Sequence, residues 1–142
     1  MKFTKISYSD LKPRQKENYN FQKISAVLAE YGFVTFRLSD DWAGADFIAV
    51  HLDGSVLRVQ LKSRLTFDKK YFGNGLHVAF AVGETWYLFP HDEFLSQVLD
   101  ATNIGATDSW EKGIYSWPRL SKQLQKMLAP YRIAGDTRPL PE

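Results

Sequence analysis

The chain has 142 residues, 44% of them hydrophobic and 15% aromatic, which suits one domain with a real core and excludes a disordered or fibrous chain. It has no cysteine, so disulfides and thiolate metal sites are excluded and a cytoplasmic, intracellular setting fits. Net charge is only +2, no apolar run approaches the roughly 20 residues that span a bilayer, and the N-terminus lacks a signal-peptide pattern, so no membrane partner is expected.

Residues 1–12 mix Lys2, Lys5 and Lys12 with Phe3, Ile6 and Tyr8, as an arm or a short edge element would. A helix is predicted from Pro13 to Tyr31. Proline suits its first turn, and Phe21, Ile24, Val27, Leu28 and Tyr31 recur at helical spacing as the buried face. Gly32 ends it, with Phe33 placed over the last turn. Glu17 lies four residues before Phe21, so it prolongs that face beyond the apolar stripe. It reads either as a carboxylate aimed at the sheet or as a first-turn acid favoured by the helix dipole. Phe33 to Leu38 reads as a strand, and residues 39–44 as a loop whose Asp40 and Asp41 are candidates for a second metal.

A hairpin follows, Ala45 to Val50 and Val56 to Lys62 around Asp53-Gly54. One carboxylate, Asp46, begins its first strand, while Gln60 and Lys62 share a face at the end of the second. Such polar groups among β-branched and leucine residues call for a reason. An acid, an amide oxygen and an ammonium at one sheet end could hold a hard cation beside a phosphate. The register decides whether they meet. A two-residue loop pairs Asp46 with Leu61 and sends the carboxylate to the wrong face. A three-residue loop, Leu52-Asp53-Gly54, pairs His51 with Ser55 and Asp46 with Gln60, with glycine at the left-handed position. The site therefore demands the bulged turn, or an equivalent bulge in one strand.

Residues 63–75 form a basic, aromatic connection, in which Arg64, Lys69 and Lys70 could grip phosphates. The apolar runs His77–Val82 and Thr85–Phe89 read as interior strands. A helix from Pro90 to about Ala101 is predicted, capped by His91 or Asp92. Residues 102–118 read as a loop carrying Trp110 and Trp117, and Pro118 to Leu128 as a last helix with Lys122 and Lys126 on one side. The order gives an α/β layout, an N-terminal helix and then a mixed β-sheet flanked by helices. The expected organisation is one domain over 1–142, with its core near 13–101, a basic helix near 118–128 and an irregular tail over 129–142.

Charge is segregated. Residues 1–23 carry six Lys/Arg against two acids, residues 58–70 five against one, and residues 112–132 five and no acid. Residues 84–111 carry six acids and no Lys/Arg. Each segment alone also fits solvated surface; together they suit a nucleic-acid face with an acidic back. Arg58, Arg64, Lys69, Lys70, Lys122 and Lys126 are the candidate contacts.

Gly44-Ala45-Asp46 followed by Val59-Gln60-Leu61-Lys62-Ser63 resembles the PD-(D/E)XK nuclease superfamily, whose fold is restriction-endonuclease-like. The likeness covers about residues 13–90. Glutamine in place of the second acid looks like the branch with Holliday-junction-resolvase-like proteins and group I intron homing endonucleases. The resemblance implies that Asp46 ligates a divalent metal, Mg²⁺ or Mn²⁺, and that Gln60 offers its amide oxygen to it. Lys62 orients the attacking water or stabilises developing charge, a safer role for an ammonium than general base. The branch also uses a glutamate on the first helix. That position falls near Phe21 here, so Glu17, one turn earlier, is the substitute. The proline of the superfamily's name is replaced by Ala45. Losing one carboxylate removes an attraction of about 4 kcal/mol for unit charges at about 4 Å and an effective dielectric of about 20. Free metal should then bind weakly, with substrate phosphates completing the shell.

The implied function is a metal-dependent endonuclease on double-stranded DNA, site-specific in the manner of homing enzymes. A homodimer or higher homo-oligomer would be needed to cut both strands. A non-catalytic nucleic-acid-binding or assembly module on the same fold is the alternative, and a junction or RNA-processing nuclease is a third.

Overall fold

The computed structural model of the protein describes residues 1–135. Tyr8–Asp10 form a 3-10 turn that leans on the first helix, α1 (Pro13–Ala29), where Asn20 Nδ2 donates to the Tyr8 hydroxyl at 2.9 Å. Proline opens α1, and Gly32, at φ 86°, turns the chain out of it into β1 (Phe33–Trp42). Ile24 and Leu28 are fully buried, while Tyr31 stays half exposed and donates its hydroxyl to Ile133 O at 2.7 Å.

Next come β2 (Ala45–His51), β3 (Val56–Leu61), β4 (Thr66–Asp68), β5 (Leu76–Val82) and β6 (Thr85–Pro90). The later elements are α2 (His91–Ala101), α3 (Asp108–Glu111), β7 (Ile114–Ser116), α4 (Lys122–Leu128) and β8 (Arg132–Ala134). A six-stranded mixed sheet runs β1-β2-β3-β5-β6-β8. All neighbours are antiparallel except β3 and β5, which are parallel. The expected α/β architecture, an N-terminal helix and then a mixed sheet flanked by helices, is the observed one.

The bulged hairpin register is the one that forms. Phe47 faces Val59 and Val50 faces Val56, while His51 N–H reaches Ser55 O at 2.8 Å across a three-residue loop. Gly54 takes the left-handed position at φ 90°. Continuing that register places Asp46 opposite Gln60.

Residues 39–44 are not the loop that their polar composition suggests. β1 runs on to Trp42, which pairs with Ala45 across a two-residue turn, Ala43 at φ 53° and Gly44 at φ 93°. Two successive left-handed residues match the twist of a hairpin, so the turn shrinks and the acids fall within the strand. Arg37 pairs with Phe47 and Trp42 with Ala45, so residues 38–41 face Asp46 alone. This bulge sits on the sheet's edge strand.

Local pairing revises four further expectations. The connection after β3 contains β4, which pairs with β7 from within the supposed 102–118 loop; that stretch also holds a 3-10 turn, Ile104–Ala106, and α3. Trp110 is buried there and the Trp117 ring meets Phe67 edge-on, which orders the segment. No side chain caps α2: Pro90 holds the N-cap position, and Asp92 instead accepts from Gly73 N at 2.9 Å and meets His91 Nδ1 at 2.7 Å. Ser121 starts α4 by accepting from Leu124 N at 3.2 Å, so the helix begins at Lys122 rather than Pro118. The tail is irregular only in part, because Ala129–Tyr131 form a 3-10 turn and β8 adds to β6. Residues 136–142 of the predicted tail lie outside the described residues.

Two apolar layers flank the sheet. Ile24 and Leu28 of α1 pack on Phe47, Ala49, Val59 and Ala79. On the other face Phe94 and Val98 of α2, with Leu124 and Leu128 of α4, pack on Val78, Phe80 and Phe89. Among the described residues no helix is long and apolar enough to cross a membrane.

Candidate active site

The ladder between β2 and β3 stops at Phe47–Val59, because the chain beyond Phe47 must swing into the Ala43-Gly44 turn. One step further, Leu61 N–H has no strand carbonyl to meet. It donates instead to Asp46 Oδ2 at 2.7 Å. The Asp46 carboxylate thus stands in the split between two strands, and among the described residues its other oxygen takes no hydrogen bond.

A cleft of about 1020 Å³ opens over that split. Its walls include Arg14, Lys16 and Glu17 of α1, Arg37 of β1, Asp40 and Asp41 of the bulge, Asp46, and Lys62 just past β3. The bulge makes this room, since a regular β1 would run flush against β2. Burial raises the Asp46 pKa above the ordinary carboxylate value; the Leu61 N–H and the Lys62 ammonium oppose that, and Asp41 and Glu17 add to it. Negative charge therefore already crowds Asp46.

The expected residues are placed as follows. Asp46, Lys62 and Glu17 share the cleft. Lys62 continues the β3–β5 pairing through its backbone N–H to Ala79 O at 2.9 Å, which fixes the base of its side chain. Glu17 is exposed and lies 3.9 Å from Arg37 Nη2. Arg37 also hydrogen-bonds Asn18 Oδ1 and covers the Phe21 ring, so it braces α1 against β1. Gln60 is 4% exposed and does not line the cleft. Its Nε2 donates to Gly44 O at 3.2 Å. A carbonyl only accepts, so the NH₂ end must face Gly44 and the amide oxygen must face away. Asp41 Oδ1 accepts from Gly44 N at 2.8 Å, so this acid closes the turn as well as lining the cleft.

None of the six expected nucleic-acid contacts lines the cleft. The Arg58 guanidinium lies against Gly75, Lys69 covers the Trp110 ring, and Lys70 pairs with Asp68 at 3.7 Å. Arg64 is exposed after β3, and Lys122 and Lys126 are exposed on α4. The cations that do line it besides Lys62 are Arg14, Lys16 and Arg37, which the sequence reading missed. One signal was available. Arg14 lies three residues before Glu17 on the same helix face, so a site that includes Glu17 draws it in, whereas Lys16, adjacent to Glu17, had no such signal.

Among the described residues no three His, Asp or Glu side chains stand as a ready metal cluster. The carboxylates of Asp46, Glu17, Asp40 and Asp41 are the groups in the cleft available to a hard cation, while Gln60 stands outside its lining.

No protein-family model and no curated protein sequence matches the chain. Among solved structures, a bacterial homing endonuclease, I-Ssp6803I, is similar over 85% of this chain and 86% of that one, with a TM-score of 0.52 and 17% identity. At that identity the likeness is one of fold: the nuclease-like arrangement of a helix followed by a mixed sheet.

Proposed function

We propose that the protein is a divalent-metal-dependent endonuclease that hydrolyses phosphodiester bonds in double-stranded DNA, on the glutamine-variant pattern of the PD-(D/E)XK superfamily. The observation that carries this reading is the Asp46 carboxylate set in the β2–β3 split, facing a cleft that Lys62 and Glu17 share. Site-specific cleavage of the homing type is the form favoured by the fold of I-Ssp6803I, itself titled a homing endonuclease.

The donor set fits Mg²⁺ or Mn²⁺ held at few protein contacts. Asp46 has an unbonded oxygen in a place where Asp41 and Glu17 already disfavour its charge, and a cation relieves that repulsion. Glu17 would assist it, with water and substrate oxygens filling the rest, as Mg²⁺ tolerates. A cation held by Asp46 would supply polarisation of the phosphate and a more acidic bound water. Lys62 positions the attacking water or stabilises charge on the phosphate. Arg14 and Lys16 hold the flanking backbone by charge.

Cleavage of linear duplex, branched DNA and RNA with Mg²⁺ tests the proposal. Asp46→Asn and Lys62→Ala should each lose at least about 100-fold in rate with the fold intact by circular dichroism. An intact protein that binds DNA and cuts none of these substrates, with Mg²⁺ or Mn²⁺, rejects it. That outcome supports the second reading, a non-catalytic DNA-binding module. The Glu17–Arg37 pair favours that second reading, because it engages a carboxylate a metal would want, and so does the burial of Gln60 outside the cleft.

A further inference from the structure

The cleft does not end at Lys62. A second cavity, of about 480 Å³, continues from it between α1 and the β5–β6 hairpin, and Tyr8, Asn20, Lys62 and Ser63 line both. Buried Trp86 forms its floor, with Val27 and Ala81 beside it. Tyr8 and Tyr19 stand in its walls, and Lys23, Lys62 and Glu84 carry its charge. A cavity of this size holds one small organic group.

The two tyrosines are placed without help from the core. Tyr8 is 40% exposed and Tyr19 37%, and among the described residues both stand outside the two apolar layers. They are nonetheless held. Asn20 fixes the Tyr8 hydroxyl, and the two rings meet edge to face with centroids 5.3 Å apart. Lys16 Nζ stands 5.2 Å from the Tyr8 centroid and Lys23 Nζ 5.3 Å from that of Tyr19. Fixed, half-exposed rings beside ammonium groups match a nucleotide, which offers a flat π-face and a charged phosphate.

We propose that this cavity takes one unpaired base of the DNA strand whose phosphate sits at Lys62. A base inside a duplex has both faces covered by its neighbours, so only an extruded, frayed or single-stranded base can meet a tyrosine. Its phosphates then run along Lys23 and Lys62, with Lys16 in the first cleft. Glu84 is the one acid on the lining among the described residues, so the lysines leave the cavity suited to an anion. An acidic peptide would match the lysines and leave the rings unused. The shared lining at Lys62 selects a strand over a free nucleotide, because the occupant must continue into the cleft that holds Asp46.

This inference deepens the endonuclease reading and rests on it for the position of the cut. It names the form of DNA: a duplex with an unpaired nucleotide beside the scissile phosphate.

Binding without divalent metal tests the cavity apart from cleavage. The probe is a duplex with a single-stranded extension carrying 2-aminopurine, titrated with the full chain by fluorescence. The expected result is quenched emission and an affinity about 10-fold above that for the fully paired duplex, the order one base–aromatic stack supplies. Tyr19→Ala should lose that gain. So, independently, should Ala26→Trp, which fills the cavity from an exposed position of α1. Both should keep the circular dichroism spectrum and the affinity for paired duplex. An extension of abasic sugars, which keeps the phosphates and removes the bases, should bind more weakly than the normal one. Equal affinity for paired, abasic and normal probes, unquenched emission, or free deoxyadenosine monophosphate binding as tightly as the probe overturns the proposal. With Mg²⁺ added, tight quenched binding and no cutting removes the endonuclease reading and keeps the cavity. Equal cutting of paired and extended duplex, by the natural chain and by Ala26→Trp alike, does the reverse.

Discussion

Asp46 does two jobs that pull against each other. Its pKa is raised in the fold, chiefly by burial, so the folded chain holds the proton more tightly than the unfolded one. Stability from this group is greatest at low pH and falls as pH rises through the carboxylate range, the reverse of a salt-bridged aspartate. Asp46→Asn should therefore raise neutral-pH stability slightly, by less than about 1 kcal/mol because the group is partly exposed, while abolishing cleavage. Asparagine can still accept from Leu61 N–H, so the split survives. Thermal melts at neutral and acidic pH check it, and the gain should vanish at acidic pH. Gln60→Glu, which restores the superfamily's second acid, has the opposite cost. A carboxylate would face Gly44 O with no proton between them, a loss of about 1–3 kcal/mol at neutral pH by urea denaturation, shrinking in acid as the new carboxyl protonates. The glutamine is thus fitted to this backbone and is more than a missing charge.

Among the elements, two turns set the site and differ in what surrounds them. Gly54 is left-handed with nothing within 4 Å of a would-be Cβ, so Gly54→Ala should cost only the conformational penalty of about 1–2 kcal/mol. Gly44 is also left-handed, and its Cβ would sit 2.7 Å from the Tyr71 ring and 2.8 Å from Leu76 Cδ1. Gly44→Ala should cost more than Gly54→Ala by urea midpoint, and should impair cleavage, because Gly44 also holds Gln60. These elements also show what the sequence made legible. The Asp53-Gly54 turn was readable because glycine chemistry and the Asp46–Gln60 pairing agreed on one register. The Ala43-Gly44 turn was not, because alanine rarely adopts a left-handed conformation and Ser39-Asp40-Asp41 has the composition of a loop. Short pairs such as β4–β7 and β6–β8 escaped for another reason: their partners are distant in sequence, and three residues carry no period.

Across the whole molecule, the parts of the site that could be read were those on adjoining strands. Asp46 and Lys62 were legible because one hairpin carries both. Arg37 was not, since only the packing of α1 on β1 brings it to the cleft, and Asp40 and Asp41 were legible as candidate acids but not as members of a strand. Of the basic segments, residues 1–23 bring Arg14 and Lys16 to the cleft, and residues 58–70 bring Lys62. Lys69 and Lys70 are engaged with Trp110 and Asp68, at a distance from the cleft that the early helix supplies with cations.

The Leu61–Asp46 bond carries one more consequence. The acid that would receive a metal is also the last rung joining β2 to β3. Whatever competes for Oδ2, a proton or an ion, must loosen that rung, and the amide of Leu61 will feel it. Its nitrogen chemical shift and its rate of deuterium uptake should respond to Mg²⁺ in the protein alone, before any nucleic acid is added. A spectrometer could then watch the pocket fill at a backbone position that never touches the cation.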